Sequence, residues 1–160
     1  MTDPAAELGR LLDERAITRL LAWFCHCVDE YDIDGAMSVF AEACVVDYGP
    51  GRGGPRYGRT SVGSRIAEGQ AGFRRTHHQL GQSLIDIEGD TARAETYVTA
   101  WHRERDESVS EVRLRYLDRL ARTSTGWTIS SRRVQANGIV GFAGVEWDYV
   151  PRRLVPADDQ

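Results

Sequence analysis

Among the side chains able to move a proton or hold a charge inside a fold, Asp29 comes first. The apolar residues Ile17, Leu20, Leu21, Phe24 and Val28 stand at offsets of 0, 3, 4, 7 and 11, one stripe of an amphipathic helix. At 3.6 residues per turn, Asp29 falls about 100° from the centre of that stripe, beside Cys25 at its edge. A carboxylate there either turns into the fold or stays in water. His77 and His78 open a segment that alternates like a strand, so the two rings face opposite ways and only one can enter a pocket. Imidazole is the side chain that takes and gives a proton near neutral pH. His102 ends another alternating run, and a bulge in that run would decide which way it points. Arg132 and Arg133 put one guanidinium on each face of a strand. An inward one would hold an oxyanion or a departing group, since its charge never titrates away; an outward one would be solvated. Tyr116 either donates a hydrogen bond to a carbonyl or packs. His26 reads as helix surface.

Other chemistries lack their signatures. Cys25 and Cys27 flank His26, but on a helix they diverge by about 200° and cannot share a metal ion. No metal and no cofactor are expected. The stretch from Gly49 to Gly58 has neither the Gly-Lys-Ser/Thr ending of a phosphate loop nor a dinucleotide fingerprint. No serine or cysteine sits in a recognisable nucleophile setting.

The elements that must position these groups follow from period and punctuation. Asp3-Pro4 is a helix start, with Asp as N-cap and Pro in the first turn, and the helix reaches about Tyr31. Its apolar positions also include Leu8, Leu11 and Leu12. Asp32 caps a short second helix carrying Ala36, Met37, Val39 and Phe40. Residues 44–48 are β-like, and the Gly- and Pro-rich run that follows is irregular. Thr60 or Ser61 is expected to cap a third helix with Val62 and Ile66. From His77 the period becomes two. Ser83 to Ile87 reads as a strand, Glu88-Gly89-Asp90 as a tight turn, and Thr91 to His102 as a long strand. In that strand Ala92, Ala94, Thr96, Val98 and Ala100 share one face, with Tyr97, Thr99 and Trp101 on the other. Val112 to Arg122 and Trp127 to Val134 complete the set.

Helices first and antiparallel strands afterwards is an α+β order. A long curved meander needs its concave face covered, and the first helix is the natural cover, which leaves a pocket between helix and sheet. The 160 residues suit a single domain, 1–160, with a core of about 14–140 and a tail of 141–160. Net charge is −4, without the basic excess of a nucleic-acid binder. No window approaches the ~18 apolar residues of a membrane span, so neither nucleic acid nor membrane is an expected partner. The N-terminus lacks the features of a signal peptide, and three cysteines fit reduced thiols, so a cytoplasmic location is expected.

The order of elements resembles the NTF2-like superfamily, and particular segments resemble its SnoaL-like branch. These are Val28 to Asp34 with Phe40 and Val45 to Tyr48, then Thr76 to Ile85 as a His-x-x-x-Asn strand entry, Ala94 to His102, and Gly126 to Ile129. The likeness covers about Glu14 to Val140. It implies a cone-shaped α+β barrel with an enclosed pocket for a small apolar molecule. In the dehydratase and dehydrochlorinase members an aspartate late in the first helix pairs with a histidine at the strand entry; by position these are Asp29 and His78. His78 is chosen over His77 because it stands four residues before Gln82. The resemblance also places Tyr116 and Arg132 at the substrate, allows His102 as a second pocket histidine, and leaves Phe24, Tyr48, Trp101 and Phe40 as pocket wall. Two positions depart from the pattern: Phe24 replaces a polar residue found in some members, and Gln82 stands where Asn is commoner.

The resemblance implies a cofactor-independent lyase, a dehydratase or related eliminase, acting on a ring-bearing or polyketide- or steroid-like substrate. His78 would remove a proton from carbon and Asp29 would orient the imidazole. Isomerisation or polyketide cyclisation by the same proton abstraction is the alternative enzyme reading, and a non-catalytic binding module is the alternative outside catalysis. A homodimer or homotrimer is expected, with the apolar tail from Ile139 to Trp147 packing on a neighbouring subunit.

Overall fold

The structure, a computed structural model, describes residues 3–151. The first helix, α1, spans Pro4–Asp29; the Asp3 side chain accepts a hydrogen bond from the Ala5 amide at 3.1 Å, the capping that the Asp-Pro start predicts. It stops at Asp29 because Tyr31 turns into the left-handed region at φ 58°. Its buried stripe is Ile17, Leu21, Phe24, Cys25, Cys27 and Val28. Each apolar side chain buried this fully stabilises the fold by about 1.5–3 kcal/mol. Leu8, Leu11 and Leu12 stay exposed.

The second helix, α2, spans Ile33–Met37, with Asp32 accepting from the Gly35 amide at 2.9 Å. It ends sooner than the apolar pattern predicts. Val39 and Phe40 leave it, and Phe40 opens strand β1, Phe40–Asp47, where it pairs with Ile129. Strand partners outweigh local helix preference there. A 3₁₀ turn at Pro50–Arg52 and strand β2, Pro55–Tyr57, give the Gly- and Pro-rich run more order than its composition suggests. Helix α3, Arg59–Ala71, starts after Gly58, without the side-chain cap expected of Thr60 or Ser61. Gly58 has φ 82°, and its carbonyl accepts from the Val62 amide at 3.0 Å, so the backbone itself turns into the helix.

Four long strands follow: β3, Phe73–Glu88; β4, Thr91–Glu104; β5, Val109–Thr123; and β6, Gly126–Val140. Strand β3 begins ahead of His77 because Phe73, Arg75 and Thr76 find partners on β4, and β6 outruns Val134 because residues up to Val140 pair with β5. The sheet order is β2-β1-β6-β5-β4-β3, with all neighbours antiparallel except the parallel pair β1 and β6. The sheet is curved but not closed. Register shifts between Leu80 and Ser83, Arg113 and Leu114, and Arg119 and Leu120 mark where extra residues bend it.

The inner face carries the alternating set that the sequence predicts: Ala92, Ala94, Thr96, Val98 and Ala100 on β4 are all buried. The small side chains of β4 leave space beneath α1, and Phe24 packs edge to face on Phe40, with ring centroids 5.6 Å apart. Past β6 the chain does not reach outward. It returns along its own sheet: the Ala136 amide donates to the Asp148 carbonyl at 2.8 Å, and the Val150 amide to the Ala136 carbonyl at 2.9 Å. Ile139, Phe142 and Trp147, expected to face another subunit, pack on this chain's own core. Backbone groups left unpaired beyond the last strand satisfy themselves locally by this route.

Candidate active site

Asp29 is the last residue of α1, and β3 runs past that helix end. The two elements bring together residues 49 positions apart: the Asp29 Oδ1 atom lies 2.7 Å from His78 Nδ1. The same carboxylate accepts the His78 backbone amide on Oδ2 at 2.8 Å and the Thr76 hydroxyl on Oδ1 at 2.8 Å. Thr76 and His78 share a face because strand side chains repeat every second residue. His77 takes the other face; its side chain is 69% exposed and its nearest ring nitrogen is 3.9 Å from Asp29, whereas the His78 side chain is 7% exposed.

Burial pushes the Asp29 carboxyl up. The hydrogen bonds from the His78 ring and amide, the His78 charge and the Thr76 hydroxyl outweigh this and hold it below its ordinary value. An ionised carboxylate beside Nδ1 requires a hydrogen there. That fixes the neutral tautomer with its lone pair on Nε2, the nitrogen left for the cavity that His78 lines.

The cavity has a volume of about 100 Å³. Val28, Ile66, Ala100, Val112, Leu114 and Val134 form its apolar body, and Phe24, Tyr48, Tyr116 and His102 also line it. His102 points inward with Ala100, so no bulge reverses it. Its ring meets that of His78 edge to face at 5.7 Å between centroids and lies against Phe73 at 4.3 Å. Burial, followed by the nearby His78 and Arg52 charges, depresses its pKa to about 4, so His102 is neutral near pH 7. Burial pushes the Tyr48 hydroxyl up to about 12 and the Tyr116 hydroxyl well above its ordinary value; both remain protonated donors.

Three sequence expectations require correction. Phe40, expected in the pocket wall, is fully buried against Phe24 and does not line the cavity. Trp101 does not line the cavity: Ala100 and His102 do, and the residue between them on a strand faces the other way. Trp101 lies on the outer face beside Arg103, whose guanidinium sits 5.7 Å from the indole ring. Arg132 points inward but is not a free cation at the substrate. It is fully buried in a bidentate pair with Asp118, at 2.7 and 2.8 Å, behind the residues that line the cavity. Its guanidinium carbon is 3.9 Å from the Tyr116 ring centroid and 4.4 Å from that of Phe24. Arg132 therefore backs two wall residues instead of facing the hollow. Asp118 and Arg132 are directly opposed on β5 and β6; Asp118 alternates with buried Tyr116 and Leu120, whereas Arg132 falls out of phase with buried Trp127 and Ile129 and turns inward after the register shift at Ser130. A charged residue in the inward register of β5 is the signal the sequence carries for this pair; the shift on β6 is not readable from it.

Several cavity residues carry no sequence signal of their own. Arg52 comes from the 3₁₀ turn, Arg65 and Gln70 from α3, Phe73 from the start of β3, and Trp147 from the returning tail. Among the described residues, no group of three His, Cys, Asp or Glu side chains is arranged to hold a metal ion. Cys25, Cys27 and Cys44 are buried and unbridged, and burial raises the Cys25 thiol to about 12, which disfavours the thiolate. No helix among the described residues is long and apolar enough to cross a membrane.

Comparison with known proteins bears on the fold and its family. No curated protein matches the sequence. A candidate scytalone dehydratase from Novosphingobium aromaticivorans DSM 12444 superposes with a TM-score of 0.84 at 22% identity, covering 91% of this chain and 97% of that one. A candidate aromatic ring hydroxylase from Novosphingobium aromaticivorans matches with a TM-score of 0.76 at 28% identity, over 82% and 94% of the two chains. A hexachlorocyclohexane dehydrochlorinase from Novosphingobium barchaimii LL02 matches with a TM-score of 0.74 at 16% identity, over 91% and 99%. The sequence profile of the SnoaL-like domain matches residues 9–133, most of the chain, and the protein belongs to that family.

Proposed function

We propose that this protein is a cofactor-independent lyase that eliminates water, or a comparable small group, from a compact ring-bearing substrate. The observation that carries the reading is the 2.7 Å contact between Asp29 and His78 Nδ1 at the wall of an apolar cavity. His78 Nε2 takes a proton from a substrate carbon, most readily one acidified by a neighbouring carbonyl. The C–H electron pair becomes the new C=C π bond, and the carbon–oxygen bond breaks with its pair going to oxygen. The hydroxyl leaves as water once it receives the proton that His78 collected. Asp29 keeps the imidazole in the required tautomer and stabilises the imidazolium. Tyr48 and Tyr116, both protonated and both lining the cavity, supply hydrogen bonds to the substrate oxygen. Arg132 supports Tyr116 from behind.

Two of the structural relatives are named for eliminations, a dehydratase and a dehydrochlorinase, which supports this reaction class. The neutral His102 ring is consistent with it, since a ring whose pKa is depressed to about 4 does not compete with His78 for the carbon-bound proton. A homodimer or homotrimer belongs to the proposal, resting on the exposed Leu8, Leu11 and Leu12 of α1. The test is turnover of the true substrate by His78→Ala. Its expected loss is about 10²–10⁴-fold with circular dichroism unchanged. Near-full activity would overturn the assignment. Product mass then separates elimination, which lowers it, from isomerisation, which does not.

A further inference from the structure

The apolar description of the cavity omits one end of it. Arg52 and Arg65 both line the cavity, and neither has a carboxylate within 4.0 Å among the described residues. Arg52 is held in place. Its guanidinium carbon lies 4.8 Å from the Phe142 ring centroid and 4.8 Å from that of Trp147. Its backbone carbonyl accepts from Arg65 Nε at 3.3 Å. Gly51, the preceding residue, donates its amide to the Glu146 carbonyl at 3.0 Å; a Cβ there would meet that oxygen at 2.2 Å. The turn and the tail are thus locked together around the arginine. A guanidinium flanked by aromatic rings has its donor edge pre-set for a planar anion, and little side-chain freedom is lost on binding.

Donors near it are left over. Arg52 Nε and Trp147 Nε1 are both buried without a hydrogen-bond partner, as are His102 Nδ1 and the Gln70 amide oxygen on the same lining. Buried donors in a folded protein are nearly always satisfied, so two on adjoining cavity residues point to an acceptor that the chain itself does not supply. The acid whose field reaches Arg52 is Glu104, which accepts from the Ser110 hydroxyl at 2.9 Å and lies beyond ion-pair distance. Asp29 is committed to His78. Arg52 and Arg65 therefore bring positive charge to the cavity without an ion-pair partner within 4.0 Å among the described residues, beside apolar walls.

We infer that the substrate is a carboxylic acid, with its ring body among Val28, Ile66 and Leu114 and its carboxylate on Arg52 and Trp147 Nε1. This rests on the same cavity being the site of the proposed elimination. The anion anchors the molecule from the Arg52 end while His78 works on the ring.

Binding of benzoate and of the neutral benzamide, a single-ring acid and its amide, to the ¹⁵N-labelled full chain tests it, followed at the Trp147 indole N–H resonance, which is assigned with Trp147→Phe. A guanidinium–carboxylate contact of this kind should favour the acid by about tenfold or more. Arg52→Gln should remove that preference and leave the amide's affinity within about twofold, as expected for a surviving apolar contact. Arg52→Lys should keep part of it and serves as the deciding variant if Arg52→Gln disturbs the tail. Equal affinities in the parent protein, absence of acid binding, or a preference that survives Arg52→Gln each overturn the inference. The titration is repeated in His78→Ala. Acid preference retained there, alongside a His78→Ala protein fully active on the true substrate, would sink the elimination reading and leave the acid site standing. Loss of preference in the parent protein with His78→Ala inactive would do the reverse.

Discussion

Two pairs of a carboxylate with a basic side chain are built into the inner side of this sheet, and they are opposite in kind. Asp118 and Arg132 sit across neighbouring strands with both side chains wholly out of water, joined by two hydrogen bonds. Asp29 and His78 meet where a helix end passes a strand, with the carboxylate 19% exposed and the ring at a cavity wall. In the first pair the cation keeps its proton at any accessible pH, and the attraction of Asp118 more than offsets the cost of its burial. In the second pair the carboxylate meets Nδ1 of a ring that lines the cavity. The same fold uses a fixed charge pair to back the wall and a carboxylate–imidazole pair to face the hollow. Burial of ionic groups is therefore not by itself a mark of a reactive site; a place on the cavity lining is the more useful mark.

The largest expected effect comes from breaking the fixed pair. Asp118→Ala leaves a guanidinium buried without its partner, and about 3–5 kcal/mol of stability should go, read as the fall in urea midpoint. Replacing both partners, Asp118→Leu with Arg132→Met, should recover most of that loss. An Asp118→Ala protein as stable as its parent would mean that the pair is not buried as described. His102 sharpens the contrast next, as a buried titratable ring with no acid partner. Its pKa is near 4 in the folded chain and near 6.5 in the unfolded one, so the unfolded chain binds the proton first as pH falls. Stability should decline between pH 6.5 and pH 4 by about 3 kcal/mol and level off below that window. His102→Phe should flatten this part of the urea-midpoint profile; an unchanged slope would refute the assignment.

In the carboxylate–imidazole pair, Asp29→Asn should keep the fold and lower turnover by about 10²-fold, because the amide can present its N–H to the ring and trap the wrong tautomer. Full turnover by that variant would remove the orienting role. Thr76→Val is the smallest perturbation. It deletes one hydrogen bond to the ionised Asp29 and should cost about tenfold or less in kcat. A loss as large as that of Asp29→Asn would show that the hydroxyl does more than hold the carboxylate.

Much of the fold is legible in the sequence because local signals and pairing agree. Asp3-Pro4, Asp32 and the five-residue alternation of β4 each do in the structure what their chemistry predicts. Where they part, strand pairing decides, as at Phe40 and at the early start of β3. The site is less legible. Helical geometry alone leaves Asp29 undecided at the stripe edge, and no local rule joins it to a ring 49 residues away; the family likeness made that link. The parity that puts Trp101 outside was readable from β4 itself, since Ala100 and His102 share the opposite face. Arg52 and Trp147 were not readable at all. They lie in a turn and a tail without period, and only the packing of one on the other gives them a place.

That docked tail separates a carboxylate–imidazole contact from part of its enclosure. Asp29 and His78 come from the first helix and the third strand, whereas part of the cavity wall is the indole at position 147, in the segment that returns along the sheet after β6. Exchange of that segment would reshape the hollow while leaving the Asp29–His78 contact in place.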